Sequence, residues 1–242
     1  MRGQAAVVTG GAKGVGRYIA QGLAKEGVRI AIADIDTEPL ERTRKELAGL
    51  TSDSFSLRAD VTNEDEAKDL MARAADRFGQ IDILVNCAGI VPHFSWGVPK
   101  WPVIRDMDKS FWDRVIQTNL GGVFLCTKHV IPYMQDRRSG HILNMHGGGN
   151  NIGACAYVVT KDAVRTFSQL VAEEVREYNI CVVTVAPEHS VSFDYSPEAA
   201  RKRVPGVDSL GNRFILAAQA DMELSGKLLT LKDDRLSVMD RW

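Results

Sequence analysis

The chain of 242 residues is long enough to bury one substantial core, and its 45% apolar share is that of an ordinary globular protein. A formal net charge of −1 gives no electrostatic case for nucleic acid or a membrane surface, and no apolar run approaches bilayer-spanning length. The first strand pattern begins within a few residues of Met1, leaving no room for a secretory leader, so a cytoplasmic protein is expected. Cys87, Cys126, Cys155 and Cys181 are scattered without metal-ligand or C-x-x-C spacing and read as reduced thiols.

The stretch 7–20, VVTGGAKGVGRYIA, predicts a strand, a glycine turn and a helix. A β-branched run stops at Gly10 and Gly11, passes Gly14 and Gly16, and gains helical spacing at Ile19 and Leu23. Glycines there let backbone N–H groups approach an anion, and a helix starting near Gly14 aims its positive end at the same point. The simplest such anion is a pyrophosphate. A second apolar strand, 28–34, ends in Asp34, about twenty residues beyond the turn, where a dinucleotide fold holds the adenosine ribose hydroxyls.

Farther along, residues 37–50 carry Leu40, Thr43, Leu47 and Leu50 at helical spacing, and 55–58 reads as a short strand. Asp60-Val61 precedes a helix with an acidic first turn that Gly79 ends. The run 81–85 is apolar throughout, as in a strand covered on both faces, and opens into Asn86-Cys87-Ala88-Gly89. After a loop rich in aromatics and prolines, one long helix is predicted over 110–134. The strand 141–145, a helix bearing Tyr157 and Lys161, the strand 180–185, a short helix near 213–219 and a last strand at 227–231 complete the pattern. Strands alternating with helices imply a single α/β domain over 1–242, doubly wound, with about seven parallel strands and helices on both faces.

The series Thr9-Gly10-x-x-x-Gly14-x-Gly16, Asp60-Val61, Asn86-x-Ala88-Gly89, Asn119, Tyr157-x-x-x-Lys161 and Pro187 resembles the short-chain dehydrogenase/reductase family, over residues 1–187 and more loosely beyond. The resemblance implies a Rossmann-like domain that transfers hydride between a nicotinamide and a carbinol or carbonyl carbon of a small, moderately hydrophobic substrate. It implies that Tyr157 is the general acid/base and that Lys161 lowers its pKa and bonds the nicotinamide ribose, with Asn119 supporting a water chain to Lys161. Gly10, Lys13, Gly14, Val15, Gly16, Asp34, Ile35, Asp60, Val61, Asn86, Ala88, Gly89 and Pro187 would contact the cofactor. Asp34 favours NAD, since a carboxylate repels the extra phosphate of NADP; Lys13, a cation inside the glycine turn, pulls the other way. Homodimers or homotetramers are implied, paired through the apolar faces of the helices bearing Asn119 and Tyr157.

Two departures stand out. The family places a serine before the tyrosine helix, yet no serine lies between Ser139 and Tyr157; strand alignment puts Gly147 at that position, and counting back from Tyr157 puts Asn144 there. His146 could hold the substrate oxygen instead, or an amide of Asn144, Asn150 or Asn151, or the oxygen is not held and the chain is a dinucleotide-binding sensor or scaffold with weakened or lost catalysis. A non-redox proton transfer by the same tyrosine is a third reading. After Pro187, the family's glycine is Glu188, and Ser192 stands where a threonine would meet the nicotinamide carboxamide. Glu188 would put a negative charge near the ring, favouring its oxidised form. The segment 188–210 is short for a lid, so an open pocket is expected, while the loop 90–108, with His93, Phe94 and two tryptophans, reads as an apolar wall of the substrate pocket or a subunit contact.

Overall fold

The computed structural model describes residues 1–93, 96–97, 100–148, 151–187, 189–232 and 235–239. Its strands are β1 (Ala5–Thr9), β2 (Arg29–Asp34), β3 (Ser54–Arg58), β4 (Ile83–Asn86), β5 (Gly140–Met145), β6 (Ile180–Val185), β7 (Leu228–Lys232) and β8 (Arg235–Val238). They form one sheet in the order β3-β2-β1-β4-β5-β6-β7-β8. Every neighbouring pair is parallel except β7 and β8, which are antiparallel. The doubly wound α/β architecture with seven parallel strands is the expected one, and an eighth, antiparallel strand extends the edge beyond β7. A four-residue strand next to Asp233-Asp234 has too short a pattern to stand out from the sequence.

Burial of both sheet faces explains the continuous apolar runs, because alternate residues of each strand serve opposite cores. Val8, Ile30, Ile32, Val85 and Val183 pack on one face beneath α1 (Gly14–Lys25), α2 (Thr37–Ala48) and α8 (Arg213–Ala217). Val7, Leu84, Ile142 and Val182 face α3 (Glu64–Phe78), α5 (Gly122–Arg137) and α6 (Cys155–Glu174). Ile19 and Leu23 are fully buried, as their spacing predicts, and each contributes roughly 2 kcal/mol of hydrophobic stabilisation. Asn63 caps α3 by accepting from the amides of Asp65 and Glu66, and Gly79 ends it at φ 73°. At the strands' opposite ends, buried Asp82 accepts from the amide of Ala5 (2.7 Å) and pairs with Arg137 (3.1 Å), tying β1 to the segment leading into β4.

The helix expected over 110–134 is instead interrupted. α4 (Lys109–Ile116) passes through a π-turn, Gln117–Gly121, before α5 begins. One extra residue per turn shifts the facing of side chains, so Asn119, inside the turn, is fully buried toward the sheet. The remaining α-helix, α7 (Glu198–Arg203), falls in the segment 188–210 expected to form the lid.

With β3 to the left of β1 and β4 to its right, successive connections leave in opposite directions at β1 and open a crevice at the strands' C-terminal ends. Among the described residues, no helix is long and apolar enough to cross a membrane, and no three His, Cys, Asp or Glu side chains cluster as a metal site.

Candidate active site

That crevice is a cavity of about 800 Å³. Its floor is the turn after β1, where Gly10 (φ 66°) and Gly14 (φ 64°) adopt left-handed backbone that other residues resist. A Cβ on Gly16 would stand 2.2 Å from the carbonyl oxygen of Gly10, so only glycine lets α1 start hard against the turn with its amide end facing the cavity. The Thr9 hydroxyl accepts from the amides of Cys87 and Ala88 (3.2 Å each), fixing the loop after β4 alongside. Thr9 was legible only as the first letter of a motif; its clamp becomes visible once β1 and β4 are neighbours.

Fifteen of the expected site residues line this one cavity: Gly10, Lys13, Gly14, Val15, Gly16, Asp34, Ile35, Asp60, Val61, Ala88, Gly89, His146, Tyr157, Lys161 and Pro187. Asp34 sits at the end of β2, its two oxygens accepting from the amides of Ala12 (3.2 Å) and Asp36 (3.1 Å). The Lys13 ammonium reaches Asp36, 2.7 Å away. Asp60 accepts from the amide and hydroxyl of Thr62 (2.9 and 2.8 Å), holding the turn that presents Val61.

Asn86, Asn119, Asn144 and Ser192 take other places. Asn86 is buried and donates to Asn144 (2.8 Å) and Thr127 (3.1 Å), and Asn144 donates to Ser168 (2.8 Å). Asn144 is therefore part of a buried chain linking β4, β5 and α6, which corrects the expectation that its amide could replace the missing serine. Asn119 accepts from the amide of Ile90 (2.7 Å) and donates to the Ile90 carbonyl (3.1 Å) and Thr160 (3.3 Å), so its visible work is to clamp the strand-end loop. The Ser192 hydroxyl donates to the carbonyls of Val204 (3.0 Å) and Pro205 (3.1 Å), within the lid segment. Ser190 and Val191, not Ser192, face the cavity. Glu188 and Asn150 lie outside the described residues.

Tyr157 and Lys161, one turn apart on α6, project into the same space. The Lys161 Nζ lies 5.7 Å from the centre of the Tyr157 ring and donates to the Met145 carbonyl (3.0 Å). Burial pushes the Tyr157 phenol up and the Lys161 ammonium down to about 8. The rise of the phenol comes first from burial, with Cys87 adding to it, whereas the role expected of Lys161 is to lower it.

Gly147 explains the missing serine in steric terms. A Cβ there would lie 2.1 Å from the Tyr157 hydroxyl oxygen and 3.1 Å from Cζ, so the phenol fills the space a side chain at 147 would take. The preceding His146 is buried, with its amide donating to the Val185 carbonyl (2.9 Å) and its Nε2 3.7 Å from Asp162. Burial, helped by the nearby Lys161 charge, lowers its pKa to about 4, so the ring is neutral at neutral pH. Asn151 also lines the cavity.

The 90–108 loop and the lid segment meet over the cavity mouth, where an open pocket was expected. Trp96 donates its indole N–H to the Val191 carbonyl (3.0 Å), stacks on His93 (3.7 Å) and meets Phe193 and Tyr195 edge-on (6.0 and 6.1 Å). It packs with Ala200 and Val204. Phe94, also expected in this wall, lies outside the described residues. Buried Arg213 donates to the Pro187 carbonyl (2.7 Å), bracing the strand end where the lid begins. Nothing in the local pattern around Arg213 or Phe193 signals this, since both act across large sequence separations.

Residues 4–196 match the family model described as short chain dehydrogenase. The 3-oxoacyl-(acyl-carrier-protein) reductase FabG of Staphylococcus epidermidis is 36% identical over 193 residues, spanning 78% of this chain and 76% of that protein. Among solved structures, an NAD+-bound xylitol dehydrogenase superposes with a TM-score of 0.70 at 27% identity, covering 77% of this chain and 70% of that one. A metagenomic short-chain oxidoreductase in complex with NADP gives a TM-score of 0.75 at 26% identity, covering 92% and 93%.

Proposed function

Because this chain belongs to the short-chain dehydrogenase/reductase family of NAD(P)-dependent oxidoreductases, we propose that it interconverts a secondary alcohol and a ketone on a small, moderately hydrophobic molecule, using NAD. The observation that carries this reading is the placement of the Tyr157 hydroxyl in a cavity whose far end is the glycine turn and Asp34. The residues present fit a dinucleotide: glycine at 16 lets α1 start hard against the turn, α1 offers its amide end to the cavity, and a carboxylate ends β2. When bound, the nicotinamide gives or receives the hydride.

The chain's own residues move the proton and shape the site. The Tyr157 hydroxyl exchanges a proton with the substrate oxygen, and the Lys161 ammonium, on the same helix face, favours the phenolate. Lys161, Gly89 and the Asn119-clamped Ile90 line the cavity and would hold the ribose. Val91, His93 and Trp96 supply the apolar wall over the substrate, and neutral His146 or Asn151 donates to its oxygen in place of the absent serine. Asp34 selects NAD through the ribose hydroxyls. Exposed Phe124 on α5, with Val159 and Leu170 on α6, supports pairing of two copies through these helices.

Fluorescence titration with NADH and NADPH tests the cofactor, tighter NADPH binding refuting the NAD assignment. A panel of secondary alcohols and ketones, run beside Tyr157→Phe, tests the chemistry. Turnover exceeding that variant by about a hundredfold or more is expected. Failure of every substrate to exceed it would favour the second reading, a cofactor-binding protein without catalysis, which Gly147 at the serine position motivates.

A further inference from the structure

Beside Asp34 the cavity carries more charge than contact with a ribose requires: Lys13, from the turn before α1, and Asp36, just before α2, line the same end. Their side chains form an ion pair of 2.7 Å, each about half exposed. Asp36 stands at the N-terminal cap of α2, yet its carboxylate bonds none of that helix's amides, so the start of α2 does not account for it. Asp34, by contrast, is tied to two backbone amides.

The chemistry of this corner turns on one anion. NADP differs from NAD by a phosphate on the adenosine ribose, next to the hydroxyls that a carboxylate at the end of the second strand would bond. An ammonium with no partner at this edge would attract that phosphate strongly. Paired with Asp36, Lys13 offers a nearly neutral couple, and the phosphate meets a second carboxylate besides Asp34.

We propose that Asp36 is a cofactor-selecting residue: by holding Lys13 it withdraws the cation that would otherwise receive the ribose phosphate, so that two carboxylates, not one, exclude NADP. The inference rests on the NAD reading above and gives it a second determinant. It also accounts for a lysine in the glycine turn of a chain whose second strand ends in aspartate.

The test measures binding alone, by NADH and NADPH fluorescence titration at low ionic strength, on the wild type, Asp36→Ala, Lys13→Ala and the double variant, with thermal melts confirming folding. Asp36→Ala is expected to tighten NADPH about tenfold, the worth of one recovered charge-assisted contact in solvent, while NADH changes less than about twofold. The double variant should lose most of that gain. An unchanged NADPH affinity in Asp36→Ala overturns the proposal, as does a gain that persists undiminished without Lys13. A wild type that already prefers NADPH refutes the NAD reading instead, and the Asp36→Ala ratio still decides whether Asp36 restrains Lys13.

Discussion

Replacing Gly147 by alanine puts one methyl group where the Tyr157 hydroxyl now sits. The separation would be 2.1 Å from the hydroxyl oxygen, with Cζ at 3.1 Å and Cε1 at 3.4 Å. Restoring an ordinary contact requires the hydroxyl to retreat by about 1 Å. Gly147 lies two residues past the end of β5, next to His146, whose amide is bonded to Val185, whereas the phenol is the far end of a side chain, so the phenol is what yields. A misplacement of about 1 Å in a reacting group costs on the order of a hundredfold. Gly147→Ala should therefore lower kcat/KM about a hundredfold on whichever alcohol the panel identifies, with 1–3 kcal/mol of stability lost to overpacking, roughly. Binding of NADH, read by fluorescence, should change less than about twofold, because the glycine turn and Asp34 lie elsewhere in the cavity. The assay compares steady-state kinetics, the NADH titration and a thermal melt on the same preparation. A folded Gly147→Ala protein with kcat/KM within about threefold of wild type would refute the reasoning, since it would mean that the phenol does not occupy this position during turnover.

Asn119→Ala leaves the amide and carbonyl of Ile90 without their clamp and should cost about 2 kcal/mol, read as a melting temperature lower by roughly 4–8 °C; a drop under about 1 °C would show the clamp to be dispensable. His146 has a folded pKa of about 4, below its unfolded value, so the unfolded state takes up the proton more readily as pH falls from about 6.5 to 4, and native stability declines through that window. His146→Gln should keep about 3 kcal/mol of what the wild type loses there, seen as a shallower pH dependence of the denaturant midpoint; parallel curves would contradict the buried neutral ring. Trp96→Phe retains the ring but gives up the bond to Val191, about 1 kcal/mol, and should speed amide exchange in the 90–108 loop while leaving the central strands unchanged.

What could be read in advance was whatever depends on residues close in sequence. The strand-turn-helix start followed from β-branched residues giving way to glycines and then to Ile19 and Leu23, and the parallel sheet followed from apolar runs too continuous for a half-exposed strand. Tyr157 and Lys161 share a helix face because they lie four residues apart. The π-turn around Asn119 escaped notice because the apolar spacing on either side continues across it.

Local pattern has no access to contacts that form only when distant segments become neighbours. Ser192 matched a position by counting, yet the fold directs its hydroxyl to Val204 and Pro205. Asn144 is bonded to Asn86, 58 residues away, and Lys13 to Asp36 across the β1–β2 crossover. The direction of the Tyr157 shift depended on how completely the phenol is enclosed, a property of the assembled cavity. Sequence alone determined the architecture, since apolar periodicity encodes it, and the resemblance to a known family singled out Tyr157 and Lys161 as the expected reacting pair. Tertiary structure decided which polar groups face the cavity and which hold it together, since burial and long-range hydrogen bonds exist only after the chain has closed on itself.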